Sequence, residues 1–134
     1  MSPIQQMLLG VGAVATKTYV DDVFSTQVYT GNGTNGRLIN NGIDLATEGG
    51  MVWSKARNYA ANHGIFDTER GAHKFINSNS NAAEATDATN HDISFLSNGF
   101  KIRGGSGDIN TTNESYIYMA FADQPFKFAN GGIE

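Results

Sequence analysis

An all-β fold, an antiparallel β-sandwich or jelly roll, is what this sequence predicts, and three observations carry the prediction. Sixteen glycines and fourteen asparagines against two prolines supply many tight turns. Charged residues make up 16%, too few to lace long surface helices with ion pairs. Roughly seven to nine short alternating runs rich in β-branched and aromatic residues are spaced by those turns, and no long helical period competes with them.

The plainest strand lies in residues 48–57, EGGMVWSKAR, which hold the only tryptophan. After Gly49 and Gly50, Met51, Trp53 and Lys55 fall on one side of a pleat and Val52, Ser54 and Ala56 on the other. A tryptophan buries about 150 to 250 Å², so this strand is expected at the centre of its sheet with Trp53 where the layers meet. Residues 23–30, VFSTQVYT, form a second strand, with Phe24, Thr26 and Val28 on one face. Three Asn-Gly pairs at 32, 35 and 41 then offer positive-φ turn positions. Residues 37–40 and 43–45 between and after them read as short strands, as do 65–67 and 73–76, which are expected to pair. Residues 77–92 are polar and small, which suits a long surface loop with one helical turn over 82–88. A hairpin follows, 93–96 and 100–103 around an Asn98-Gly99 loop. Residues 116–122, YIYMAFA, are apolar on both sides and read as an internal strand ended by Pro125.

With 134 residues there is room for one core. The expected division is a docking arm over 1–20 and a β-sandwich domain over 21–134. In the arm, Ser2 and Pro3 suit a helix start, and Ile4, Met7, Leu8 and Val11 recur at i, i+3, i+4 and i+7. A helix of about two turns is unstable alone in water, so these four residues are the expected assembly contact. The apolar stretch 7–15 is far short of the roughly 20 residues of a membrane span, and its N-terminal flank has no Lys or Arg to mark a signal peptide.

Function classes are bounded by the same composition. A formal charge of −4 with nine scattered Lys and Arg argues against nucleic-acid binding. Zero cysteines exclude disulfides and thiolate metal sites. Gly10, Gly12 and Ala15 spell a dinucleotide fingerprint, but no strand precedes it and no βαβ unit follows. His63, His73 and His91 lie in separate turns at no metal-ligand spacing and are expected at the exposed surface. Asp108, Asn110 and Glu114 are the residues that could hold a loop calcium. Glycosidase chemistry needs two carboxylates across a cleft, for which Asp67 with Glu69 or Asp44 with Glu48 are the nominees. Neither pair sits outside turn-like sequence, so no enzyme, cofactor or metal site is expected. Trp53 and Tyr59 are the candidate glycan contacts, Tyr59 being the one placed in a turn; Tyr29, Tyr116 and Tyr118 share the chemistry, with core packing the default. Asn32, Asn110 and Asn113 begin N-glycosylation sequons.

Several runs together are more specific than any of these motifs: FSTQVYTGNGT from Phe24, NGIDLATEGGMVWSKAR from Asn41, FDTERGA from Phe66, SNSNAAE from Ser78, FLSNGFKI from Phe95 and YIYMAFADQPFKFAN from Tyr116. They resemble the β-module of tail-fibre and related virion structural proteins of tailed bacteriophages, marine and cyanobacterial ones above all. The opening MSPIQQMLLGVG and the TYVDD from Thr18 resemble the beginnings of such proteins. The resemblance implies a lectin-like sandwich on the virion exterior, a structural or adhesive role, and no catalytic residues. It also implies partners: other virion proteins, further copies of this chain as a trimer, and host surface polysaccharide. Head decoration is the alternative role, and a polysaccharide-cleaving enzyme a distant third.

Overall fold

The computed structural model describes residues 19–105 and 107–123. The expected arm contacts Ile4, Met7, Leu8 and Val11, and the strand-ending Pro125, lie outside the described residues. A single helical turn, α1 (Val20–Val23), opens the described chain. Nine strands follow: β1 (Phe24–Thr30), β2 (Arg37–Asn40), β3 (Gly50–Ala56), β4 (Gly64–Asp67), β5 (Lys74–Asn77), β6 (Ala85–Thr86), β7 (Asp92–Leu96), β8 (Gly99–Arg103) and β9 (Ser115–Ala122). They form one six-stranded sheet in the order β1-β9-β3-β4-β5-β6 and one three-stranded sheet in the order β2-β8-β7. Every pairing is antiparallel. The chain is therefore all-β, and of the two expected forms it is the sandwich that the sheets display.

The strongest strand readings hold. β9 is internal, between β1 and β3, and β3 is central. β5 pairs with β4, setting Ile65 opposite Ile76. The β7–β8 hairpin turns one residue earlier than expected, on Ser97 and Asn98, because Leu96 already pairs with Gly99. Gly99 starts the next strand at φ 142°, and a Cβ there would lie 2.1 Å from the carbonyl oxygen of Ile39. Residues 43–45 are not a strand. Ile43 and Leu45 instead insert as fully buried plugs, with the Leu45 N–H donating to the Leu96 carbonyl. Residues 82–88 make no helical turn; Ala85 and Thr86 extend to pair with β5.

The core between the sheets is built on tyrosine. Tyr29, Tyr116 and Tyr118 point inward from β1 and β9, with Tyr29 and Tyr116 stacked at 5.2 Å and Tyr118 edge-on to Phe100 of the small sheet at 5.0 Å. Phe66, Phe75, Ile39, Ile93 and Ile102 complete it. Trp53 is a correction to the sequence reading: it faces away from the small sheet. With tyrosines filling the space between the layers, β3 presents the smaller Val52, Ser54 and Ala56 inward, and the pleat turns Trp53 outward. His91 is a second correction, since it is 6% exposed and lies among the buried residues rather than in solvent. No helix among the described residues is long and apolar enough to cross a membrane.

Candidate functional site

The strand register lays out the outer face of the large sheet row by row. Phe24 of β1 faces Phe121 of β9, which faces Met51 of β3. The next outward row is Thr26, Met119, Trp53, Ile65 and Ile76, and the one after it Val28, Ile117 and Lys55. Antiparallel sheets with one solvated face alternate apolar-in with polar-out. Here both faces of β9 are apolar. Of the five large hydrophobic residues most exposed among the described ones, Tyr19 (57%), Val20 (59%), Val28 (52%) and Phe121 (37%) sit on this face or on the turn leading into it. The small sheet differs: its outward residues include Asn40, Lys101 and Ser94, with Leu38 and Leu96 the exceptions.

Trp53 lies mid-row on that face, between Met119 of β9 and Ile65 of β4, with a polar group at its indole nitrogen. Its indole N–H donates to Ser78 Oγ at 2.9 Å, and His63 packs edge-on against the ring at 6.0 Å. The His63 N–H donates to Asn79 Oδ1, and Asn79 Nδ2 donates to Asn62 Oδ1. Sequence reasoning missed these partners, although both come from polar turns, NHG and SNSN, on either side of the β4–β5 hairpin.

Tyr59 is not brought to Trp53. It belongs to the opposite side of the sheet, where its ring stands edge-on to Tyr116 and its hydroxyl lies 2.7 Å from that of Tyr116. Tyr116 in turn donates to the Gly107 carbonyl and accepts the Thr111 N–H. The hydroxyl of Tyr59 is thus spent on fixing the 107–111 loop.

The remaining candidates are also engaged elsewhere. Asn110 is fully buried: Nδ2 donates to the carbonyls of Thr34 and Gly104, while Oδ1 accepts the Asn32 N–H. No glycan could be accommodated on it in the folded chain. Asp108 contacts Asn62, and Glu114 accepts from Asn58. Among the described residues no three His, Asp or Glu side chains gather as a metal site. Asp67 and Glu69 line a shallow cleft of about 300 Å³ with Met51, Phe121 and Asp123. Burial works to raise the Asp67 pKa, but hydrogen bonds from the Arg70 guanidinium and backbone N–H outweigh it and hold the carboxyl below the usual range. Such a group stays ionised and is unsuited to donating a proton. Asp44 accepts the Thr47 N–H within a turn, and Glu48 is exposed.

Residues 20–95 and 88–125 match a family described as a domain of unknown function, DUF7483. The chain belongs to that family. Comparison with curated proteins and with solved structures gives no match. The two matched segments of this DUF7483 chain together take in both sheets, so the outward rows of β1, β9 and β3 fall within the family's extent.

Proposed function

We propose that this chain is a non-enzymatic structural protein on the exterior of a tailed-phage particle, of tail-fibre or adhesin-like type. Its N-terminal arm anchors it to other virion proteins and to copies of itself. The observation that carries the reading is the apolar outer face of β1, β9 and β3, a surface suited to a protein neighbour and poorly suited to water. The sequence resemblance points the same way. Trp53 is the better glycan contact of the two nominated residues, because it is outward and flanked by Ser78 and His63, whereas the Tyr59 hydroxyl is occupied.

The test is to localise the chain in purified particles by a virion reconstruction and to repeat it with Val28→Asp. Density at a tail appendage, lost in the variant, is the expected result. Density on the head would instead favour decoration, and release of reducing sugar from host polysaccharide by the purified protein would overturn the non-enzymatic reading.

A further inference from the structure

The two edges of the large sheet are built differently. At one end β6 is two residues long. At the other β1 runs for seven residues, paired one for one with β9, and among the described residues nothing pairs with its free side. Exposed edges are ordinarily blunted by shortness, charge, proline, a bulge or a covering segment. In the small sheet β2 is four residues long and begins with Arg37, and β7 is partly covered, its Leu96 carbonyl accepting the Leu45 and Ala46 N–H groups. β1, FSTQVYT, carries no charge, proline or bulge.

The hydrogen-bond phase defines what that edge offers. Just beyond β1 the Gly31 N–H donates to the Glu114 carbonyl, while on the other side of β9 the Asp123 N–H donates to Gly49 and the Arg57 N–H to Ser115. Bonded pairs alternate along an antiparallel ladder, so the backbone groups of Ser25, Gln27 and Tyr29 bond to β9. Those of Thr26, Val28 and Thr30 point to the free side, as does the Phe24 carbonyl; the Phe24 N–H is held by the Val20 carbonyl.

We infer that β1 is a docking edge for a second copy of this chain, β1 pairing with β1 antiparallel about a two-fold axis at Gln27. In that register the whole strand overlaps its twin. Thr26 and Val28 exchange both bonds with Val28 and Thr26 of the other copy, and each Thr30 N–H donates to a Phe24 carbonyl. A second copy fits better than a foreign strand because of what β1 lacks. About a two-fold axis the strand meets itself, where like charges directly opposite are destabilising. FSTQVYT has no charge to repel, and the exposed Gln27 meets Gln27 as an amide that both donates and accepts. Pairing also joins the apolar outer faces of the two copies, each running from β1 through β9, β3 and β4 to β5, into one surface. Such a pair closes at two chains, where the sequence resemblance implies three. It supplies the contact between copies in the function proposed above and rests on that reading only for self-association. The test uses the isolated protein, so failure here and failure of particle incorporation are scored separately.

The wild-type mass in sedimentation equilibrium should rise with concentration to that of two chains. Gln27→Lys and Gln27→Glu should each stay at one chain with unchanged far-ultraviolet circular dichroism, and an equimolar mixture should return to two chains because opposite charges then face each other. The chain has no cysteine, so a single introduced one can cross-link only between chains. Opposite residues of a non-hydrogen-bonded pair stand about 4.5 Å apart at Cα, within disulfide reach. Gln27→Cys should therefore oxidise to a two-chain product severalfold faster than Thr30→Cys, an exposed position that the register sets opposite Phe24. A one-chain wild-type mass, the result if another segment holds the edge, would overturn the inference, and so would a three-chain mass. Two-chain mass retained by both charge variants, or equal cross-linking at the two cysteines, would overturn it as well. The cysteine variants decide alone if the charge variants do not fold.

Discussion

His91 lies flat on Phe75, their ring centroids 4.0 Å apart and their planes 8° from parallel. Phe66 flanks the imidazole at 5.4 Å, and His91 Nε2 is buried without a hydrogen-bond partner. Gly64 leaves the space for this packing: a Cβ there would come within 2.8 Å of Phe66 and 3.2 Å of His91 Nε2. Burial pushes the His91 pKa down from its ordinary 6.5, and the nearby carboxylates of Asp108, Asp87 and Asp92 only partly offset it. The folded chain therefore holds His91 neutral where the unfolded chain protonates it. Its contribution to stability is complete above the unfolded value and is lost as pH falls below it. Melting temperature should hold near pH 7 and decline toward pH 5, and His91→Phe should flatten that limb. Parallel curves for the two proteins would remove His91 as the cause.

Tyr29 ties the sheets to the 104–114 loop. Its hydroxyl donates to the Ile109 carbonyl at 2.7 Å and lies 3.2 Å from Ser54 Oγ, all of it buried. Tyr29→Phe keeps the stacking but strands a carbonyl and a hydroxyl in the core, which costs about 1 to 3 kcal/mol. Urea unfolding should show a lower midpoint at unchanged slope. The double variant Tyr29→Phe/Ser54→Ala should lose less than the two single losses added together, because the two groups share a hydrogen bond.

The body of this fold was legible because its strands obey alternation. Residues 116–122 predict an internal strand from apolar residues on both sides, and β9 is one. Which side faces the core was not legible. Trp53 was expected between the layers because it is large, yet the decision belongs to Tyr29, Tyr116 and Tyr118, which arrive from strands β1 and β9 and fill the space first. Residues 43–45 failed for a related reason: Ile43 and Leu45 have strand composition, but they plug an end of the core where no partner strand runs. His91 sits in a polar stretch, NHD, and only tertiary contact with Phe75 and Phe66 buries it. In the site, neither the Trp53 rim nor the outward rows could be assembled before the register was known.

Asn110 offers a contrast within one loop. Its buried amide makes three hydrogen bonds to backbone, joining the 31–35 turn to Gly104, while Asn113 is exposed at φ 70°. Asn110→Ala should cost at least about 2 kcal/mol through unsatisfied buried groups. Asn113→Gly should be neutral or slightly stabilising, because glycine relieves the left-handed backbone. Chemical denaturation of the two variants side by side checks the ranking, and equal losses would contradict the clamp assigned to Asn110.

Gly99 makes the sharpest backbone demand. At φ 142°, with the Ile39 carbonyl where its Cβ would stand, it lets β8 close against β2 directly after the hairpin turn. Gly99→Ala combines an unfavourable dihedral with a clash against backbone, so a loss above about 2 kcal/mol is expected. Amide exchange should locate the damage in β2 and β8, the pairing that Gly99 begins, while β3 and β9 stay protected.

Tyr116 and Tyr29 together set the alkaline limit. Burial, reinforced by the hydrogen bond with the Tyr59 hydroxyl, pushes the Tyr116 pKa up to about 12 from an ordinary 10.0. Tyr29, buried beneath Arg37 with the guanidinium 5.7 Å from the ring centroid, is raised as well, burial outweighing the opposing hydrogen bond from Ser54 and the Arg37 charge. An acid whose pKa is raised on folding is held neutral, so the unfolded chain releases its proton first. Stability should then be retained up to about pH 10 and fall steadily above it. Phenolate absorbance recorded alongside circular dichroism checks this: part of the tyrosine ionisation should coincide with loss of the sheet signal. Tyr116→Phe should lower stability at neutral pH by about 1 to 3 kcal/mol, the Gly107 carbonyl and the Thr111 N–H losing their partner, while making the decline above pH 10 shallower. A decline equally steep in the variant would assign the alkaline transition to other groups.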